Sequence, residues 1–170
     1  LAQYDLVLSL DADEALDERL QQAILALKQT EPAAGYTMNR CTYYCGRFIR
    51  HGAWYPDRKL RLFNKKLAQW GGINPHDKVE FRSPQTTIQL AGDILHYSYY
   101  TMEEHIIQNN KFSTIAAESY FRRGKKTSLF RIWFNPCWAF FSGFILRGGF
   151  RDGFYGYVIA KNVAHLTFLK

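Results

Sequence analysis

The sequence predicts an α/β fold over residues 1–100, followed by a helical, aromatic-rich region over residues 101–170. Three observations predict it. An apolar run at residues 4–10 leads into an acidic cluster and then into a helical apolar period. Segments rich in Tyr, Thr and Phe follow, with the loose alternation of strands. Beyond Thr101 the chain is apolar, aromatic and helical in outline.

Taken in order, Tyr4-Asp5-Leu6-Val7-Leu8-Ser9-Leu10 reads as a short buried strand. Asp17 is placed to cap a helix over residues 18–29, where Leu20, Ile24 and Leu27 share one face. Glu31-Pro32-Ala33-Ala34-Gly35 ends it. Residues 36–49 read as a strand or hairpin, and residues 59–64 as a cleaner strand. Trp70-Gly71-Gly72-Ile73-Asn74-Pro75 reads as a loop. Short strands are expected at 79–82 and 87–90, and another over 94–100. Thr101 caps a helix over 102–123, with Glu103 and Glu104 in the first turn, where the helix dipole favours acids. After the basic turn Gly124-Lys125-Lys126-Thr127, helices broken at Pro136, Gly148-Gly149 and Gly153 complete the chain.

Composition narrows the function classes. The 170 residues suffice for one domain with its own core, and an apolar share of 47% excludes a disordered tail. The formal charge of +7 implies an anionic partner: nucleic acid, a phosphorylated small molecule or an anionic membrane. Aromatic residues at 16% suit a membrane interface or a stacking surface for sugar or base. Cys41, Cys45 and Cys137 are odd in number and form no disulfide framework, which points to a reducing compartment. Cys41, Cys45 and His51 do not complete a four-ligand zinc set, so the thiols read as buried or spare. The chain opens on Leu1 shortly before an apolar run and shows no signal peptide, so it reads as an internal or C-terminal piece of a longer protein.

Asp11-Ala12-Asp13 carries the chemistry. An apolar strand that runs into two carboxylates separated by one small residue puts both at a strand end, where ligands sit in open α/β sheets. Neighbouring carboxylates repel unless a cation lies between them. Mg²⁺ or Mn²⁺ carrying a diphosphate meets that need, because hard cations take oxygen ligands and share them with phosphates. The other reading of the same residues is a solvated helix N-terminus.

Leu8-Ser9-Leu10-Asp11-Ala12-Asp13-Glu14 followed by a helix resembles the metal site of family 2 glycosyltransferases with the GT-A fold. His51-Gly52-Ala53-Trp54-Tyr55-Pro56-Asp57-Arg58-Lys59-Leu60-Arg61-Leu62-Phe63-Asn64 resembles a stretch of one bacterial branch. So do His96-Tyr97-Ser98-Tyr99 and Gly149-Phe150-Arg151-Asp152-Gly153-Phe154-Tyr155-Gly156-Tyr157. That branch adds glucose from UDP-glucose to the inner core of lipopolysaccharide. The resemblance covers nearly the whole chain and implies a partial GT-A fold with a mixed sheet. Residues 1–100 would be its catalytic, metal- and acceptor-binding part.

By position, the resemblance implies a role for each motif residue. Asp11 and Asp13 would bind the metal, Mg²⁺ or Mn²⁺, and the UDP-sugar donor, with His96 as a further metal ligand or diphosphate contact. Asp77 aligns with the expected catalytic base, although the family usually has Glu there, one methylene longer. Trp54, Tyr55, Asp57 and His76 would line the substrate region, and Arg58 and Arg61 the donor. Plainer readings of the same residues stay open. Asp77 can pair with Lys78 or Arg82, His96 can be a satisfied half-buried histidine, Trp54 and Tyr55 can be packing residues, and Arg58 and Arg61 a solvated face.

The C-terminal region adds a membrane expectation. Residues 132–146 form an apolar, aromatic run, shorter than the ~20 residues that span a bilayer. Trp133, Trp138 and several Phe residues lie among Arg122, Arg123, Lys125, Lys126, Arg147 and Arg151. That composition fits a helix lying on an anionic leaflet, or an ordinary core helix. The expected whole is a peripheral enzyme on the cytoplasmic face of a bacterial inner membrane, with a glycolipid acceptor and no nucleic-acid partner. The competing class is a non-catalytic basic module for anionic lipid or nucleic acid.

Overall fold

The structure is a computed structural model and describes residues 2–27, 33–71 and 78–170. Its elements in chain order are β1 (Leu6–Leu8), β2 (Glu14–Leu16), α1 (Glu18–Leu25), β3 (Gly35–Tyr44), β4 (Arg47–Phe48), β5 (Asp57–Asn64), β6 (Ala68–Gly71), β7 (Lys78–Phe81), β8 (Thr87–Tyr99), α2 (Met102–Arg122), α3 (Leu129–Phe141) and α4 (Gly153–Leu169). This is the expected α/β class. The main sheet has the strand order β1-β5-β3-β8-β2, with β4 paired to β3, and β6 and β7 form a separate ladder. Two compact units emerge. One holds the chain through Cys41 with Asp57–His96; the other holds Thr42–Pro56 with Tyr97–Lys170.

In the first unit, Leu20, Tyr36, Met38, Leu62, Leu90 and Ile94 form the core, and Phe63, Ala68 and Val79 a second cluster. Successive strand residues point to opposite faces, so Leu62 enters one cluster and Phe63 the other. The strand expected to be buried at 4–10 is shorter and more open. Only Leu6–Leu8 is strand, Leu6 is exposed, and β1 ends the sheet order with β5 as its neighbour. An edge strand shields one flank only, which is why an apolar run did not translate into burial.

Asp17 caps α1 as expected, accepting from the Leu20 amide at 2.7 Å, but α1 ends at Leu25 rather than near Gln29. The same carboxylate accepts from the Asp93 amide at 3.0 Å, tying the helix start to β8. Gly92 makes this approach possible. Its φ is +101°, and a Cβ there would lie 2.3 Å from the Leu20 amide nitrogen. The two strands expected at 87–90 and 94–100 are therefore one strand, continuous through this glycine. Trp70 and Gly71 belong to β6 rather than to a loop, and the rest of the loop expected over 70–75 lies outside the described residues.

In the second unit, the stretch 36–49, expected as a strand or hairpin, forms a hairpin: β3 and β4 pair antiparallel, Tyr44 opposite Arg47, across Cys45 and Gly46, both at positive φ. Tyr44, Ile49 and Ile159 form the core. Thr101 and Glu104 make a reciprocal capping box at the start of α2. Pro136 does not break α3 but sits inside it. The helix instead loosens into a π-helical turn over Ser142–Leu146, and Gly149–Asp152 is a 3₁₀ turn that leads into α4. None of the three cysteines is in a disulfide, and burial foremost pushes the Cys45 thiol pKa up.

Candidate active site

Asp11, Ala12 and Asp13 form a tight turn between β1 and β2, closed by the Glu14 amide donating to the Asp11 carbonyl at 3.0 Å. The Asp11 and Asp13 side chains are 51% and 50% exposed, while that of Glu14 is fully buried. Glu14 folds back under the turn and accepts from the Asp11 amide at 3.1 Å. It also meets Arg61 at 2.9 Å and Arg40 at 3.7 Å. Two carboxylates thus face solvent on a turn whose shape a third carboxylate fixes from below.

Arg61 reaches the turn through an irregularity in β5. Thr37 pairs with Leu60 and Tyr36 with Leu62, which leaves Arg61 as the extra residue of a β-bulge. Its guanidinium bonds both oxygens of Asp11, through Nη2 at 2.5 Å and Nη1 at 3.4 Å, and shares Nη2 with Glu14. Burial works to lower the Arg61 pKa, but the bonds and charges of Asp11 and Glu14 outweigh it and hold the pKa above its usual value. The guanidinium also lies 5.5 Å from the Trp70 ring centre. Asp57, on the neighbouring ladder, is held by Arg40 at 2.9 Å and Lys59 at 3.0 Å.

His96 completes the cluster. It pairs with Glu14 across β2 and β8, and its Nε2 lies 3.2 Å from Asp13. Burial lowers its pKa first and the Arg40 charge second, against the pull of Asp13 and Glu14. Among the described residues its Nδ1 is buried without a partner, and so is Nε of Arg61.

The structure therefore gathers Asp11, Asp13, Asp57, Arg61 and His96 in one unit. Arg58 lies opposite Asn39 on the ladder and is exposed, and strand alternation turns it away from the face of Asp57 and Lys59. His76 and Asp77 lie outside the described residues. Sequence reasoning passed over Glu14 and Arg40. The available signal was the Glu14/Leu16 alternation, too short at three residues to read as a strand.

Among the described residues no three His, Cys, Asp or Glu side chains converge as a metal cage. The donor set offers the Asp11 and Asp13 oxygens beside an imidazole kept toward its neutral form. That chemistry fits Mg²⁺ or Mn²⁺ taking its remaining ligands from water and phosphate, and does not fit a site closed by protein alone.

In the second unit, Trp54 stacks on Tyr99 at 5.5 Å and meets His105 edge-on at 4.9 Å and Tyr44 at 5.5 Å. Tyr55 follows Trp54 and precedes Pro56 across a cis bond. The segment before them is clamped. The buried Asp152 carboxylate accepts from the Arg50 and His51 amides at 3.1 and 2.8 Å, and its other oxygen lies 3.1 Å from His51 Nδ1. Close glycine packing supports the clamp, since a Cβ on Gly156 would lie 1.8 Å from the Gly149 carbonyl oxygen.

Proteins similar to this chain in sequence carry glycosyltransferase names. Over 98% of its length it is 31% identical to an uncharacterized glycosyltransferase of Rickettsia typhi and 30% identical to one of Rickettsia prowazekii. It is 27% identical, over 95% of its length, to the lipopolysaccharide core biosynthesis glycosyltransferase LpsC of Rhizobium meliloti. The chain spans about 60% of the length of each of these relatives. No protein-family model matches it, and no solved structure matches it significantly.

Proposed function

We propose that this chain carries the metal and acceptor part of an inverting glycosyltransferase. The enzyme would move a hexose, glucose in the first instance, from a UDP-sugar to a lipopolysaccharide-core acceptor. The observation that carries the reading is the turn at Asp11 and Asp13: two half-exposed carboxylates, fixed by the buried Glu14, among Arg61, Arg40 and His96. Relatives named glycosyltransferases over nearly the whole chain supply the reaction class.

Each residue then has a task. Asp11 and Asp13 hold Mg²⁺ or Mn²⁺, which when bound neutralises charge on the departing diphosphate. Arg61 faces the same developing charge. Asp77 takes the proton of the acceptor hydroxyl, whose oxygen attacks the anomeric carbon as UDP leaves from the opposite side. Trp54 and Tyr55 shape the acceptor region, with the Asp152 clamp holding their loop. The cytoplasmic face of a bacterial inner membrane is the proposed location, with the aromatic α3 surface toward anionic lipid.

A UDP-sugar transfer and hydrolysis assay on the complete gene product, with Mg²⁺ or Mn²⁺, tests this. Asp13→Ala should abolish turnover, and Asp77→Asn should lower it with little loss of donor binding. Wild-type turnover in Asp13→Ala would falsify the metal assignment. A second reading, a lipid-binding module without catalysis, draws on the exposed aromatic face of α3. It leaves the Asp11 turn without a role, and sugar-dependent turnover of the donor excludes it.

A further inference from the structure

Arg61 occupies both oxygens of Asp11, the same atoms that a cation on this turn would take. A divalent cation and a guanidinium on one carboxylate repel each other, so each weakens the other's hold on Asp11. Asp11 is half exposed and free to change partners; Glu14 is fully buried and is not. An unpaired buried carboxylate is costly, so Glu14 keeps Arg61 when Asp11 lets it go. Arg61 is itself 5% exposed, and its Nε has no partner among the described residues. The released guanidinium would thus hold unfilled donors beside the place where a cation sits.

We propose that Arg61 and a divalent cation alternate on Asp11, with Glu14 as the fixed anchor of Arg61 through the exchange. Without a cation, Arg61 neutralises Asp11 and keeps the turn in shape. When cation and diphosphate arrive together, Asp11 transfers to the cation and the Nη1 and Nη2 hydrogens that it releases take diphosphate oxygens. No bond is made or broken in the exchange beyond ion pairs and hydrogen bonds. Its consequence is order: cation alone binds against the competition of Arg61, whereas cation with diphosphate recruits Arg61 as a ligand. The proposal rests on the metal assignment above but not on sugar transfer.

Direct Mn²⁺ binding, followed by the electron paramagnetic resonance of free Mn²⁺, tests it without any turnover. Arg61→Gln should bind Mn²⁺ alone about fivefold more tightly than wild type, the scale of a half-exposed ion pair removed. Adding Asp11→Asn should cancel that gain. With UDP present the order should reverse, Arg61→Gln holding UDP and Mn²⁺ about tenfold more weakly, the loss of charge-assisted bonds to phosphate. A folded Arg61→Gln that binds Mn²⁺ no better, or gains equally in the Asp11→Asn background, overturns the exchange. If Arg61→Gln does not fold, Arg61→Lys keeps the charge but loses the two-pronged grip. It should then show a smaller gain, about twofold, and no gain overturns the proposal. Absence of Mn²⁺ binding in every variant overturns the exchange together with the metal assignment. Exchange without sugar transfer leaves it standing and removes only the transferase reading.

Discussion

Glu14 accepts from the Asp11 amide and faces two guanidiniums while its side chain is shut off from water. Removing one member of such a set strands the others in low dielectric. Glu14→Ala should cost about 3 kcal/mol in urea unfolding, the low end for a broken buried pair because Arg40 retains Asp57. A loss under 1 kcal/mol would show that water replaces the carboxylate. His105 offers a second test. It is buried against the Tyr44 hydroxyl and the Asn109 and Asn162 amides, and burial pulls its pKa down to about 4 from 6.5. The unfolded ring takes a proton near pH 6.5 and the folded ring only near pH 4, so stability is complete above 6.5 and falls as the pH drops through that window. The loss approaches about 3 kcal/mol by the bottom of the window. His105→Asn should flatten the decline between pH 7 and 4.5, measured by chemical denaturation. An equal slope in wild type and variant would assign the decline to other groups. The carboxylates at Asp11 and Asp13 were legible in the sequence because their spacing is local. Glu14 and Arg40 were not, since their role comes from pairing across β2, β3, β5 and β8, which no sequence window contains.

At the scale of elements, capping and glycine geometry decide which predictions held. Asp17 and Thr101 start α1 and α2 where expected, because an N-cap depends on neighbours two or three residues away. The single long β8 was hidden because Gly92 looks like a strand breaker. In the fold it is the point where α1 presses on the strand. Gly92→Ala should therefore prevent folding or cost more than ~3 kcal/mol, since the new Cβ meets backbone rather than a movable side chain. A near-native melting temperature for this variant would contradict the positive φ and the close approach. Pro136 misled in the other direction. A proline inside a helix removes one bond, and α3 continues past it into a π-helical turn that loosens the ladder further.

For the molecule as a whole, the distribution of charge and apolar surface matters more than the total of +7. From residue 119 to residue 151 there is no acidic side chain, while Arg122, Arg123, Lys125, Lys126, Arg131, Arg147 and Arg151 are all basic. Within that stretch Phe130, Phe134 and Trp138 form a stacked ladder one helical turn apart, with Trp133 72% exposed beside it. Residues Leu129–Leu146 make one 18-residue helical segment long and apolar enough to cross a membrane, with 6% of it buried. The sequence reading began this run at Ile132 and so measured it short. Arg131, Asn135 and Pro136 lie within it, and α4 packs along it. The polar Arg131 and Asn135 favour a helix at the lipid surface over one crossing the hydrocarbon, where each would be costly. The complete protein should then bind vesicles containing anionic phosphatidylglycerol and ignore vesicles of phosphatidylcholine alone, with the exposed tryptophans shifting their emission to the blue. Binding should weaken as salt rises, because the basic side chains act through a screened field. Neutralising Lys125 and Lys126 together should cost about 2 kcal/mol, roughly 30-fold in affinity. Trp133→Ser with Trp138→Ser should weaken binding without changing its salt dependence, since aromatic insertion and charge attraction are separate contributions. Equal binding to neutral and anionic vesicles would remove the electrostatic half of the argument. Salt-independent loss on neutralising the lysines would mean that they support the fold of the helix rather than its contact with lipid.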